Sequence, residues 1–268
     1  MKLLNGSDLA GYIKERHARQ AATLRRTGTQ PKLAIVQVKD DPAINTYVRL
    51  KRQYGTDIGI EVEVHTPKQD EVPELLKELN KDSSVHGVIV QLPLENPAQT
   101  NGIVNLVDPK KDVDALGEKS RFEPATPMAI LWLLSGYDID LRGKRILLIG
   151  RGKLVGAPLE KIFQDSGLKV EVVERDVEDL AKHTKTADVI ITATGSPAIL
   201  YPDMIKQGAV VVDAGVASEE GKTVGDLAPE VYERDDLTIT PQKGGVGPLT
   251  VCALFENVIR AAGGAEKS

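Results

Sequence analysis

The stretch Arg145-Ile146-Leu147-Leu148-Ile149-Gly150-Arg151-Gly152-Lys153-Leu154-Val155-Gly156-Ala157-Pro158-Leu159 decides how the rest of the chain is read. An apolar run of strand length enters a glycine-rich turn, then an amphipathic helical pattern over 156–164, then a second apolar run at 170–173. Glycines permit a tight strand-to-helix turn and a close backbone approach to a pyrophosphate, which the helix start favours electrostatically. The spacing, G-x-G-x-x-x-G, is one residue longer than the common dinucleotide fingerprint, although its context fits. A glycine-rich turn that binds nothing is the alternative. Further on, runs at 189–193 and 209–213 end in Thr194-Gly195-Ser196 and Ala214-Gly215-Val216. Small residues at the carboxyl ends of strands lie where open α/β sheets hold ligands.

Outward from this turn, apolar runs at 33–38, 62–65, 87–92, 145–149, 170–173, 189–193, 209–213 and 237–240 alternate with helical periodicity. The helical patterns cover about 7–26, 43–58, 72–80, 100–107, 128–134, 156–164 and 249–262. That alternation predicts parallel sheets and an α/β fold class. A length of 268 residues favours two domains. Proline, lysine, aspartate and glycine accumulate over 108–123, so a first α/β domain is expected at 1–120 and a second at 140–245. The final helix, 249–264, is expected to pack back on the first domain. The cleft between two such domains is the default ligand site.

Lys and Arg number 34 against 39 Asp and Glu, and the net charge of −5 offers no electrostatic footprint for nucleic acid or an anionic membrane. With 41% hydrophobic residues and 27% charged ones, the chain can bury a real core. No stretch approaches the roughly 20 apolar residues of a membrane span, and residues 1–26 lack a signal-type apolar block. The single cysteine, Cys252, excludes an intrachain disulfide framework and a multi-cysteine metal site, and the four histidines are scattered. A soluble, cytoplasmic protein without a metal is expected.

Candidate chemistry gathers in the first half. Over 43–58 the apolar stripe is Ile44, Tyr47, Val48, Tyr54 and Ile58, and Lys51 occupies a place in it. Tyr47 and Lys51 stand at i and i+4, on one helical face. An amine partly removed from water has its ammonium form disfavoured, which tunes it toward proton transfer, whereas a lysine that snorkels to water is the bland alternative. The run Gly87-Val88-Ile89-Val90-Gln91-Leu92-Pro93-Leu94 puts Gln91 where a parallel strand presents its side chain at the carboxyl-end crevice, with a donor and an acceptor. Asp112-Val113-Asp114 follows Lys110-Lys111 in the linker, where acids are ordinarily just solvated. Thr240-Pro241-Gln242-Lys243-Gly244-Gly245-Val246-Gly247-Pro248-Leu249-Thr250 specifies a sharply shaped loop before the last helix, whose start offers free N–H groups. A plain hinge competes with that reading. At the end of the 170–173 run stand Glu174 and Arg175: an acid there would bind a ribose 2′-hydroxyl and favour NAD, and a guanidinium would pair with a 2′-phosphate and favour NADP. The two together leave both open.

Taken in order, Tyr47-x-x-x-Lys51, Val90-Gln91-Leu92-Pro93, Lys111-Asp112-Val113-Asp114, Ala125-Thr126-Pro127, Gly150-Arg151-Gly152-x-x-Val155-Gly156-x-Pro158 and Gly244-Gly245-Val246-Gly247-Pro248-x-Thr250 span nearly the whole chain. This series resembles the bifunctional methylenetetrahydrofolate dehydrogenase/methenyltetrahydrofolate cyclohydrolase family, often called FolD. The resemblance implies an N-terminal three-layer α/β domain that binds folate and carries catalysis, and a Rossmann-type parallel-sheet domain for the dinucleotide. It implies oxidation of 5,10-methylenetetrahydrofolate with NADP, or alternatively NAD, and hydrolysis of the methenyl product to 10-formyltetrahydrofolate, without a metal. By similarity Lys51 is the central catalytic group, Tyr47 packs on the folate, Gln91 tunes the lysine and Asp114 holds the pterin. Val90, Leu92 and the loop residues Gly244, Gly245, Val246, Gly247, Pro248 and Thr250 would line the folate side. Gly150, Arg151, Gly152, Glu174, Arg175, Gly195 and Val216 would contact the dinucleotide. A homodimer and a role in one-carbon metabolism and purine biosynthesis are also implied.

Several positions depart from the family pattern. Ile44 stands for its usual serine, Ala125 for a cysteine, Ala115 for a glycine after the second acid, Gly152 for the serine of G-R-S, and Glu174-Arg175-Asp176-Val177 for His-Ser-Arg/Lys-Thr. Gln242-Lys243 replaces an apolar residue and proline. Another two-domain dehydrogenase acting on a small amino or hydroxy acid would leave Tyr47, Lys51 and Gln91 without a purpose. A non-catalytic nucleotide-binding module is the remaining alternative.

Overall fold

The computed structural model describes residues 1–215, 217–219 and 222–264, with 217–219 and 222–223 described as backbone. In chain order the elements are β1 (Lys2–Leu3), α1 (Gly6–Arg26), β2 (Lys32–Gln37), α2 (Pro42–Ile58), β3 (Glu61–His65), α3 (Val72–Lys81), β4 (Gly87–Gln91), α4 (Thr100–Val104) and α5 (Ala125–Gly136). They continue as β5 (Ile146–Ile149), α6 (Gly156–Asp165), β6 (Val170–Val173), α7 (Leu180–Thr184), β7 (Val189–Thr192), β8 (Val210–Asp213), β9 (Ala217–Glu219), β10 (Lys222–Val224), β11 (Thr238–Ile239) and α8 (Val246–Ala262). The fold is α/β. Residues 1–10 with 126–250 form one compact unit, and 11–125 with the residues from Val251 onward form the other.

The unit built on 126–250 holds a six-stranded sheet in the order β1-β11-β8-β7-β5-β6, parallel throughout. Its strands are almost wholly apolar because both faces are covered: every residue of β5 and of β7 is buried. Leu147, Ile149, Ile190, Val211 and Ile239 form one core with Leu200, Ile205 and Val231. Each fully covered aliphatic side chain of this kind stabilises the fold by roughly 1.5–3 kcal/mol. Strand order reverses between β5 and β7, so the crevice at their carboxyl ends is a topological switch point, the usual ligand position of doubly wound sheets.

The other unit holds the parallel three-stranded sheet β3-β2-β4. Ala34, Val36, Val88 and Val90 face one way and pack with Val72, Leu76 and Leu79 of α3 and Ile103 and Val104 of α4. Leu33, Ile35 and Ile89 face the other way and are equally buried. On that side α2 comes so close to β3 that a Cβ at Gly55 would stand 2.4 Å from Val62 Cγ2 and 3.3 Å from Phe255 Cε1 of α8. Helices therefore cover both faces, giving three layers, and the last helix packs on this sheet's unit. Asn257 ties it down, donating to the carbonyls of Val113 and Glu123 at 2.9 Å each.

Four elements lie outside the sequence reading. β1 pairs with β11 at the edge of the six-stranded sheet, which groups the first ten residues with 126–250 rather than with the 1–120 domain read from composition. Both of its residues are exposed, so no burial pattern marks it. α7 is a five-residue helix capped by the Asp179 side chain, too short to show a period. β9 and β10 form an antiparallel pair. The last helix also starts earlier than its periodicity suggests, at Val246.

Candidate functional site

In the three-stranded unit, α2 begins at Asp41, whose carboxylate accepts from the N–H groups of Ala43 (2.9 Å) and Ile44 (3.4 Å), with Pro42 in the first turn. It ends at Gly59, which takes the left-handed conformation with φ 75°. Ile44, Val48, Gly55 and Ile58 are its buried stripe, and Lys51 fills the position between Val48 and Gly55. The lysine does not snorkel outward: Nζ donates to Gln91 Oε1 at 2.7 Å. Gln91, the last residue of β4, spends its own N–H on the Leu92 carbonyl at 3.1 Å, which fixes the amide with its oxygen toward the amine. Burial pushes the Lys51 ammonium below the usual lysine range, and the negative charge of Asp114 pulls it part of the way back. The same burial raises Asp114, against the opposing pull of Lys51.

The position of Asp114 comes from β4's free edge. Val88 donates its N–H to the Lys111 carbonyl at 2.7 Å and forms a parallel bridge with Asp112, so the Asp-Val-Asp segment runs alongside the strand. Asp112 is buried and shapes the turn that follows, accepting from Gly117 N (2.8 Å) and Leu116 N (3.3 Å), and burial raises its carboxyl to about 6. The chain reverses through Ala115 N–H to the Asp112 carbonyl at 3.1 Å, with Ala115 at φ 55°. That left-handed conformation explains why glycine suits this place in the family pattern. One acid thus builds the loop and the other faces the amine. Tyr47 keeps 36% of its surface exposed, leaving its ring accessible, and partial burial raises its hydroxyl. Val90 is 2% exposed and its side chain belongs to the core, so only its backbone can touch a ligand; Leu92 is half-buried.

In the six-stranded unit the turn after β5 brings Gly150, Arg151 and Gly152 to the switch point. Gly150 has φ 93°, and a Cβ there would stand 2.8 Å from the Ala193 carbonyl oxygen beyond β7. A Cβ at Gly156 would come within 2.0 Å of Gly150 O, whereas at Gly152 it would meet nothing within 4 Å. The turn is closed on its protein side and open at Gly152, and no side chain caps the start of α6. This is a bare backbone cradle suited to a pyrophosphate. Arg151 pairs with Glu160 at 2.6 Å, and Arg175, beyond β6, donates to Ser196 Oγ at 2.5 Å, one residue past Gly195. Glu174 is exposed, and Val216 lies outside the described residues.

The 244–250 loop belongs to the same unit. Gly244, at φ 86°, accepts from Ser7 N at 2.9 Å, and Gly245 packs where a Cβ would stand 3.1 Å from Thr240 Cβ. Val246, Gly247 and Pro248 form the first turn of α8, and Thr250 Oγ1 bonds back to the Val246 carbonyl at 3.3 Å. The structure thus joins Lys51, Gln91 and Asp114 in one unit and sets Arg175 against Ser196, next to Gly195, in the other, which also carries the 150–152 turn and the 244–250 loop.

Two features escaped the sequence reading. Asp226, wholly buried, and Asp213, half-buried, are acids that hold the loops after β7 and β8, and no period or motif flags them. His17 bridges Tyr54 (2.9 Å) and Glu256 (2.9 Å), and Tyr54 donates to Cys252 Sγ at 3.3 Å. The signal for His17 was its place in the helical stripe with Ile13, Ala21 and Leu24. Among the described residues no group of three or more His, Cys, Asp or Glu is arranged to hold a metal, and no helix is long and apolar enough to cross a membrane.

Comparison with known proteins gives two family matches: the tetrahydrofolate dehydrogenase/cyclohydrolase catalytic domain over residues 4–114 and the NAD(P)-binding domain of the same family over 124–266. The bifunctional protein FolD of Nautilia profundicola is 36% identical, covering 98% of this chain and 97% of its own length. The crystal structure of the bifunctional FolD of Campylobacter jejuni superposes with a TM-score of 0.92 at 37% identity, covering 98% of this chain and 99% of that one. The Trypanosoma brucei enzyme, solved with NADP and an inhibitor, gives 0.91 at 27% identity over 97% of both chains. Both units, each with its own matching model, place the chain in the tetrahydrofolate dehydrogenase/cyclohydrolase family.

Proposed function

We propose that this protein oxidises 5,10-methylenetetrahydrofolate to the 5,10-methenyl form with NADP and hydrolyses that product to 10-formyltetrahydrofolate. The observation that carries the reading is the Lys51 amine, drawn from water, bonded to Gln91 at 2.7 Å and set in the field of Asp114. Bound nicotinamide supplies the hydride acceptor of the first step. The chain's part in that step is to hold the folate, with the Tyr47 ring against it and the Asp114 carboxylate on the pterin, without setting a full positive charge against the cationic product. An amine whose ammonium form is disfavoured meets that need.

In hydrolysis, water adds to the methenyl carbon and neutral Lys51 takes the proton that water loses. The ring then opens: the carbon–N5 bond breaks, the hydroxyl becomes the formyl carbonyl, and its proton passes to N5. One proton per turnover remains, and Lys51 releases it to solvent. Gln91 keeps the lone pair aimed because its oxygen accepts an amine N–H in either protonation state. We infer also that the enzyme is a cytoplasmic homodimer feeding one-carbon units to purine biosynthesis; support for this is the family resemblance, and sedimentation at micromolar concentration tests the dimer.

The test mixes purified protein with methylenetetrahydrofolate and NADP or NAD and follows absorbance of methenyl product and reduced nicotinamide. Turnover with either nucleotide followed by decay of the methenyl signal is expected. Silence with both would leave the non-catalytic module standing, and turnover of a small amino or hydroxy acid instead would favour the other dehydrogenase class. A sharper test is Asp114→Asn. Asp114 raises the Lys51 pKa, so its removal lets that pKa fall further and neutral amine persists to lower pH. The acid limb of hydrolysis should therefore move to lower pH, while KM for the folate rises about 10- to 100-fold as a charged hydrogen bond is lost. A limb that stays fixed or moves upward refutes the coupling.

A further inference from the structure

Lys110 and Lys111 are neighbours in sequence with different surroundings. Lys110 is exposed. Lys111 is half-buried, and its Nζ donates to the Leu79 carbonyl at 2.8 Å and to the Asp82 carbonyl at 2.6 Å. Both acceptors lie at the end of α3, where a helix runs out of N–H partners and a cation is favoured. The acids nearby are engaged elsewhere. The Asp82 carboxylate accepts from Ser84 N (2.8 Å) and Ser84 Oγ (2.7 Å), and Asp108 Oδ1 accepts from Lys110 N at 2.9 Å. The Lys111 ammonium is thus spent on main-chain oxygens, and partial burial lowers its pKa against the opposing charges of Asp108 and Asp82.

What Lys111 anchors is the segment that ends in Asp114. That segment holds to β4 by little: the bond from Val88 N to the Lys111 carbonyl at 2.7 Å and the single bridge between Val88 and Asp112. Side chains alternate along an extended segment, so a slip of one residue would put the wholly buried Val113 where the acid belongs. Downstream, the bond from Ala115 N to the Asp112 carbonyl at 3.1 Å closes the turn around Asp114. Upstream, the grip of Lys111 on α3 is the side-chain tie that precedes the bridge. Asp114, the acid whose charge acts on Lys51, therefore sits between two fixed points, and one of them is the Lys111 side chain.

We propose that Lys111 is a positioning residue: by gripping the end of α3 it fixes the register of residues 111–114 along β4 and so sets the Asp114 carboxylate against the Lys51 amine and the folate. This rests on the folate reading of the Lys51 site and goes beyond it in assigning work to the lysine of the Lys-Asp-Val-Asp segment. The sign of a pH shift separates positioning from charge. Loss of a cation alone would favour the Lys51 ammonium and move the acid limb of hydrolysis upward, whereas a weakened Asp114 contact moves it downward.

The test follows hydrolysis of methenyltetrahydrofolate across pH, without nucleotide, beside thermal melts. Lys111→Met should raise the folate KM about three- to tenfold and move the acid limb to lower pH, in the direction of Asp114→Asn and by a smaller step. Lys110→Met loses the same charge and should leave the limb in place and KM within about twofold. Lys111→Arg, which keeps a donating cation, should bring KM back to within about threefold of the wild type. Added to Asp114→Asn, Lys111→Met should change KM by less than about twofold and the limb no further, because effects that run through one group do not add. If Lys111→Met does not fold, Lys111→Gln, which keeps a donor without the charge, carries the same comparisons. A limb that stays fixed or rises, even with a lower melting temperature, overturns the inference, as does an equal effect in Lys110→Met or full additivity with Asp114→Asn. In each of those outcomes the wild type still hydrolyses the methenyl compound and the functional reading survives; absence of that hydrolysis in the wild type means the reading itself has failed.

Discussion

Lys51→Met should hydrolyse methenyltetrahydrofolate about 100- to 10,000-fold more slowly than the wild type, the span associated with losing a positioned general base. Methionine nearly matches the lysine stem in length and fills the stripe between Val48 and Gly55, so the loss cannot be charged to a cavity. Lys51→Arg is the decisive companion. Arginine keeps the cation but does not give up its proton in this range, so it should be nearly as inactive. An arginine variant with half the wild-type rate would mean that charge, not proton exchange, is what position 51 supplies. Lys51→Met also carries a stability signature whose sign follows from the lowered pKa. Because the folded protein disfavours the Lys51 ammonium, it holds fewer protons on this group than the unfolded chain does. Wild-type stability therefore gains as pH rises through the folded pKa toward the ordinary lysine value of 10.5, and Lys51→Met lacks that gain. Urea unfolding of both proteins across this window should show the wild type improving relative to the variant as pH increases.

What could be read beforehand follows a physical pattern. Lys51 was legible because a charged residue in an apolar stripe breaks a period, and Gln91 because a lone amide ends an apolar strand. The turn at 150–156 was legible because glycine has few other reasons to recur there. The first sheet strand was not legible: Lys2 and Leu3 are exposed, and the strand is held by backbone bonds from Lys2 N to the Leu237 carbonyl and from Leu4 N to the Ile239 carbonyl, 2.8 Å each, which any residue but proline could make. Asp226 was silent for a related reason. Its partners are backbone N–H groups about thirty positions away, and a long-range polar contact of this kind leaves no local period. Asp112 and Asp114 show the limit most plainly. They look alike in sequence, but the bridge to β4 and the turn at Ala115 send one into the loop's own backbone and the other toward the lysine. Local rules find the unusual residue; tertiary placement assigns its work.

Gly156→Ala, the smallest substitution available, should cost the oxidation step about 100-fold and leave methenyltetrahydrofolate hydrolysis within about threefold. The added methyl would stand 2.0 Å from Gly150 O and 2.9 Å from Arg151 Cα, both backbone atoms that no rotamer change can move away. To bring the shortest contact past 3.0 Å, where real Cβ contacts begin, the turn must retreat by about 3.0 − 2.0 = 1.0 Å. A displacement of that size in a positioning element is enough for roughly a hundredfold loss in rate. Hydrolysis needs no nucleotide, and its residues Lys51, Gln91 and Asp114 lie in the other compact unit, so the two activities should separate. Circular dichroism and size exclusion would establish that the variant is folded, and NADP titration should show weaker binding in step with the lost oxidation rate. Normal oxidation in Gly156→Ala would mean that the 150–156 turn does not hold the dinucleotide. Parallel loss of both activities in a folded variant would mean that the amine at position 51 and the glycine turn are not separable in the way their placement in two units implies.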